Sequence, residues 1–126
     1  DPFDVIRAKN ILLLYEELGL INGYYNFVLR QKQIHINCNL KGTQQIFTAT
    51  HELGHAVMHP KANTPFLLAN TYQSVDKLEI EANKFAVEFL IADNILYEYL
   101  KYQEYTIEQV ARLLGYQKEL IELRLK

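Results

Sequence analysis

The sequence has no tryptophan, one cysteine, one methionine and no apolar run that approaches the length of a membrane span. A single cysteine, Cys38, closes no internal disulfide. The default compartment is therefore reducing, and a cytoplasmic location is expected. A small strand residue is the expected role for Cys38. No signal segment is visible. The chain opens at Asp1 rather than Met, so that lack carries little weight. Neither sign of charge dominates: 13 Lys and Arg face 15 Asp and Glu, a net of −2. That balance lacks the basic footprint of a general nucleic-acid binder. There is no internal repeat and no low-complexity tract.

What is present fits one folded unit. At 126 residues the chain has the length of a single domain and can bury a modest core without staples. Residues 1–103 are expected to form the core, and residues 104–126 a helical segment packed on it. The apolar spacing from Asp4 to Leu18 predicts an amphipathic helix ended by Gly19. Tyr24, Phe27, Val28, Ile34 and Ile36 favour strands, with a hairpin connection over Arg30 to Gln33. A helix from Thr43, its expected cap, to His59 stops before Pro60. Residues 60–75 read as a long loop. The next helix is expected to begin near Asp76, with Glu79 completing a capping box. Residues 93–103 read as helical, and two short helices flank Gly115.

The strongest chemical signal is HELGH at 51–55. Residues four apart on a helix share a face, so His51 and His55 can present imidazole nitrogens to one ion. Glu52 is offset beside that face, where it can act on a water as general base. Chance alone places such a pattern in about 1% of chains of this composition. Gly54 lowers helix propensity unless something packs closely against it.

A catalytic zinc takes three protein ligands and keeps one open position. Glu81 is the first choice for the third ligand, because it shares a helical face with Ala82, Phe85 and Phe89. Glu79, assigned to the capping box, is the second. His59 continues the spacing of the two histidines, but in the last turn it is expected to satisfy free carbonyls and the helix dipole. His35 lies between Ile34 and Ile36, on the opposite strand face, where a solvent-facing or cross-strand role is expected.

HELGHAVMH followed by EIEANKFAVEFLIAD resembles the ImmA/IrrE family of bacterial and phage metallopeptidases. The upstream NGYY…IHIN hairpin and the TPF segment extend the likeness over most of residues 1–93. The resemblance implies a zincin-like α+β fold, a small sheet packed on the HExxH helix with further helices around it. It also implies zinc on His51, His55 and Glu81, with Glu52 as base, and cleavage of a helix-turn-helix repressor that controls a mobile element, phage or stress genes. The proline usual after the Leu-rich segment is replaced here by Ala92–Asp93.

The C-terminal segment has helix-turn-helix spacing over Val110, Ala111, Leu114, Gly115, Tyr116 and Ile121, although Arg124 stands where an apolar residue is expected. From Thr106 to Lys126 there are four Lys or Arg and three Glu. That is too weak a stripe to predict direct nucleic-acid binding. The expected activity is zinc-dependent peptide-bond hydrolysis, with Tyr24, Tyr25 and Tyr72 as candidates to steady the oxyanion. The competing reading is a non-catalytic regulator with a closed, structural zinc that binds a transcription factor or DNA through its C-terminal helices.

Overall fold

A computed structural model describes the backbone of residues 1–65 and 72–126, and the side chains of 1–65 and 77–126. Helix α1, Pro2–Ala8, starts with the Asp1 carboxylate accepting from the Phe3 amide at 2.8 Å. It ends two turns in, because Asn10 adopts a left-handed conformation, φ 58°. The apolar run that follows is strand β1, Leu12–Glu16, and not the second half of a helix. A short apolar run satisfies either period, so the helix expected to Leu18 was a misreading of periodicity.

Strands β2, Gly23–Val28, and β3, Gln31–Asn37, form a tight hairpin. Its turn is Leu29–Arg30, both at positive φ. That geometry matches the twist of antiparallel strands, so residues 31–33, expected in the connection, lie in β3. β1 joins β3 in parallel, giving the order β1-β3-β2 with β2 at an edge. One face of the sheet carries Tyr25, Ile34 and Ile36, all fully buried with Ile6, Ala49, Leu53 and Ala56. The other face holds a polar cross-strand cluster. Buried His35 stacks on Tyr24 and bonds Glu16 on β1 and Asn26 on β2. Cys38 is exposed in the turn after β3 rather than within a strand.

Helix α2, Gly42–Met58, lies against the sheet. Lys41 precedes it without a side-chain cap bond, so Thr43 does not serve as the cap. Thr48–Thr50 and Glu52–Ala56 are buried, whereas Ile46 and Val57 are exposed. Helix α3, Tyr72–Leu90, packs along α2. It begins before Asp76, so Asp76 and Glu79 both lie inside the helix, away from any N-terminal capping position. Its buried residues include Ala82, Ala86 and Val87. At the crossing, a Cβ on Gly54 would sit 3.0 Å from Phe85 Cδ1. The glycine thus admits α3 to close range.

The rest of the chain is helical. α4, Asp93–Tyr97, runs into a π-helical turn, Glu98–Tyr102. α5, Ile107–Leu114, carries a Thr106/Gln109 capping box and ends at left-handed Gly115. α6, Lys118–Leu125, follows. Val87, Ile91, Leu96, Val110, Ala111 and Ile121 form a second core. Arg124, the apparent misfit, donates to the Ile91 carbonyl at 2.9 Å and pairs with Asp93. The two sequence departures, at Asp93 and Arg124, therefore satisfy each other. Lys118 is within ion-pair reach of Glu108 and Glu122, which further removes free positive charge from this segment. Among the described residues no helix is long and apolar enough to cross a membrane.

Candidate metal centre

His51 and His55 project from the middle of α2, one turn apart, toward α3. Ligand-type atoms of His51, Glu52 and His55 lie within 4.8 Å of one another. The carboxylate that meets them from α3 belongs to Glu79. Its Oε2 is 2.6 Å from His51 Nε2, and its Oε1 is 3.5 Å from His55 Nε2. Glu81 is two positions on, about 200° round the helix. It faces His59 instead, with Oε1 3.4 Å from His59 Nε2, and is half-exposed. The structure therefore brings Glu79, not the expected Glu81, to the paired imidazoles. The reason is which face of α3 packs. Ala82 and Ala86 are fully buried whereas Phe89 is exposed, and Glu79 shares its face with Asn83, Ala86 and Leu90.

Each imidazole is held from behind. His51 Nδ1 is 2.8 Å from Asn83 Oδ1, which fixes Nδ1 as the protonated nitrogen and leaves Nε2 toward Glu79. His55 Nδ1 is 3.1 Å from His59 Nδ1. With Nε2 of His55 as the inward atom, its Nδ1–H donates to His59, whose Nε2 faces Glu81. His59 thus orients a neighbour, where the sequence suggested a helix-end role. Asn83 is a site residue that sequence reasoning missed, although its i, i+4 spacing from Glu79 was a usable signal.

The electrostatics follow from burial. Burial pushes the Glu52 carboxyl up to about 7, with the Glu79 charge adding to the rise and the His51 charge opposing it. Burial holds His55 below its ordinary value. Burial also opposes the charged form of His51, yet the Glu79 bond, the Glu52 charge and Asn83 together lift its pKa. Glu79 is itself desolvated, but its closeness to both histidines keeps it well below the usual carboxylate range.

These residues fit a divalent cation. Among the described residues, His55 Nε2 and Glu52 Oε1 are buried without a hydrogen-bond partner. Orphaned polar atoms of this kind are costly, and here a cation on the His55 imidazole, with a water beside it for Glu52, would relieve the cost. Two imidazoles and a carboxylate suit zinc, and this His/His/Glu cluster is consistent with a zinc-binding site. A cavity of about 240 Å³ opens beside them, lined in part by Asn22, Gly23, Thr48 and Thr64. Gly23 is required there, since a Cβ would lie 2.6 Å from the His35 carbonyl oxygen and 2.7 Å from Thr48 Cγ2.

No described tyrosine lines that cavity. Tyr25 is fully buried and donates to the Pro60 carbonyl at 2.5 Å, while Tyr24 is committed to His35. The Tyr72 side chain lies outside the described residues. Thr64 Oγ1 accepts from the Tyr25 amide and donates to the Tyr25 carbonyl, each at 3.0 Å, which closes the β2 edge at that residue.

Residues 6–126 match the family model for the IrrE N-terminal-like domain. "Uncharacterized immunity region protein 2" of Bacillus phage phi105 is 46% identical over 125 residues, which is 98% of this chain and 78% of that protein. "Metallopeptidase ImmA" of Bacillus subtilis (strain 168) is 37% identical over 113 residues, 86% of this chain and 65% of that protein. A solved Mycobacterium tuberculosis transcriptional regulator superposes with a TM-score of 0.64 at 17% identity, covering 98% of this chain and 39% of that one. That likeness concerns the fold.

Proposed function

Because the chain belongs to the ImmA/IrrE family of zinc metallopeptidases, we propose that His51, His55 and Glu79 hold the zinc, that Glu52 is the general base of peptide-bond hydrolysis, and that the substrate is a helix-turn-helix repressor. The observation that carries the ligand set is the convergence of one α3 carboxylate on both α2 imidazoles, beside an orphaned Glu52 oxygen.

Bound zinc supplies Lewis acidity and makes water a competent nucleophile near neutral pH. Every other part of the reaction belongs to the chain. Glu52 takes a proton from water and returns it to the leaving nitrogen. Asn83 and His59 hold the imidazoles so that no reorientation is needed during the reaction. Gly23 lets the start of β2 border the cavity, so an extended peptide can lie along the edge before Tyr25. Beyond that point Thr64 occupies the strand's outward groups.

The repressor assignment draws on the family resemblance and on the relative named for a phage immunity region. Coexpression with the product of the neighbouring repressor gene tests it. Wild type should release a defined fragment that Glu52→Gln does not, with zinc content equal in both. An identical fragment from the Gln variant would remove Glu52 from the chemistry. An intact repressor in both would remove the proposed substrate.

A further inference from the structure

A second cavity, of about 290 Å³, adjoins the metal centre. It shares Asn22, Phe47, Thr48 and Asn83 with the first. Its far wall is the α5–α6 turn, where Tyr116, Gln117 and Leu120 close it. Among the described residues, no Asp, Glu, Lys, Arg or His lines it. Three rings connect the two cavities: Phe47 is 6.3 Å from the His51 imidazole and 6.0 Å from the Tyr116 ring. Asn83, which orients His51, is a wall of both.

We propose that this second cavity receives the substrate side chain directly flanking the scissile bond, and that it selects a bulky uncharged one, aromatic or branched aliphatic. The inference rests on the peptidase reading above and adds the substrate's local chemistry to it. Three features support it. The cavity begins at the residues that frame the metal centre, so a peptide whose carbonyl lies there has its neighbouring side chain at the entrance. Phe47, Tyr116 and Leu120 offer apolar walls that reward burial of a ring or branched chain. A charged side chain would lose its hydration and meet no opposite charge on the described walls. The polar rim supplies amide and hydroxyl groups, which orient the neighbouring peptide without neutralising a charge. The C-terminal helix pair, which lacks the basic stripe of a DNA reader, thereby acquires a role as the wall of a specificity pocket.

The test uses the zinc-loaded full chain and hydroxamates, measured by calorimetric titration. Acetohydroxamate reports the metal centre alone. Glycine, phenylalanine, leucine and aspartate hydroxamates add side chains to the same group. Phenylalanine and leucine hydroxamates should bind about 10-fold tighter than glycine hydroxamate, and aspartate hydroxamate no tighter. Each affinity is taken as a ratio to acetohydroxamate in the same protein. In Leu120→Glu the phenylalanine advantage should vanish. If that variant does not fold, Gln117→Lys at the exposed rim decides, and its aspartate ratio should rise several-fold. Affinities blind to the side chain, or unmoved by Gln117→Lys, would overturn the pocket assignment while leaving the zinc site standing. Failure of acetohydroxamate to bind in a zinc-dependent way would overturn the peptidase reading, and the pocket with it.

Discussion

Replacing Glu52 by Gln should abolish hydrolysis and at the same time stabilise the metal-free protein. A Glu52 carboxyl raised from 4.5 to about 7 means that the folded state resists ionising it. In the unfolded chain the group ionises at its ordinary value. Above about pH 7 the folded state therefore carries a cost of ~3 kcal/mol at most. Below about pH 4.5 the carboxyl is protonated in both states and the cost is absent. The cost grows between those limits, which is the reverse of a salt-bridged carboxylate. Glutamine keeps the size and loses the charge. It also loses the attraction to His51 and retains an amide needing buried partners, so a net gain of ~1–2 kcal/mol is expected. For a domain of this length that is a rise in Tm of roughly 5 °C. Thermal unfolding with chelator present, at about pH 8 and about pH 5, reads it out. The advantage of Glu52→Gln should be clear at the higher pH and shrink at the lower. An equal advantage at both values, or none at the higher one, would refute a buried, reluctant carboxylate.

Three other outcomes follow from the site's geometry. Glu79→Gln should weaken zinc by more than the ~10–100-fold that an outer partner commands, whereas Glu81→Gln should stay within that range; competition with a chromogenic chelator ranks the two, and a larger loss at Glu81 would reverse the ligand assignment. His59→Ala should cost about 10-fold in zinc affinity, because His55 loses the partner of its Nδ1–H, and zinc binding equal to wild type would remove His59 from the site. Gly23→Ala should destabilise the fold by ~1–3 kcal/mol, since its methyl group meets a backbone carbonyl and Thr48; an unchanged denaturation midpoint would mean that β2 yields freely there.

The clustering of His51, Glu52 and His55 was legible because a helix converts a five-residue pattern into fixed relative positions with no help from tertiary structure. The hairpin was legible for a similar reason, its alternation being local. The first helix was overextended because LLLY fits either period, and only the left-handed Asn10, followed by parallel pairing to β3, decides between them. The third site residue depended on how two helices meet. Aromatic residues at 85 and 89 suggested which face of α3 is inward, and Glu81 shares that face. The closest approach instead places Gly54 under the base of the Phe85 side chain, with Ala82 and Ala86 buried, while Phe89 is partly exposed. At this crossing the small residue is Gly54 on α2, and the room it leaves is taken by Phe85 of α3. Sequence reading weighted by hydrophobic size looks away from such a position. Glu79 was further obscured by a capping role that existed only while the helix was taken to start at Asp76; a start at Tyr72 removes that role. The same close packing that hid Glu79 brings its carboxylate to 2.6 Å from His51. The depth of Gly54 and the approach of Glu79 to the paired imidazoles are thus both set by the α2–α3 crossing, readable only once the two helices are seen together.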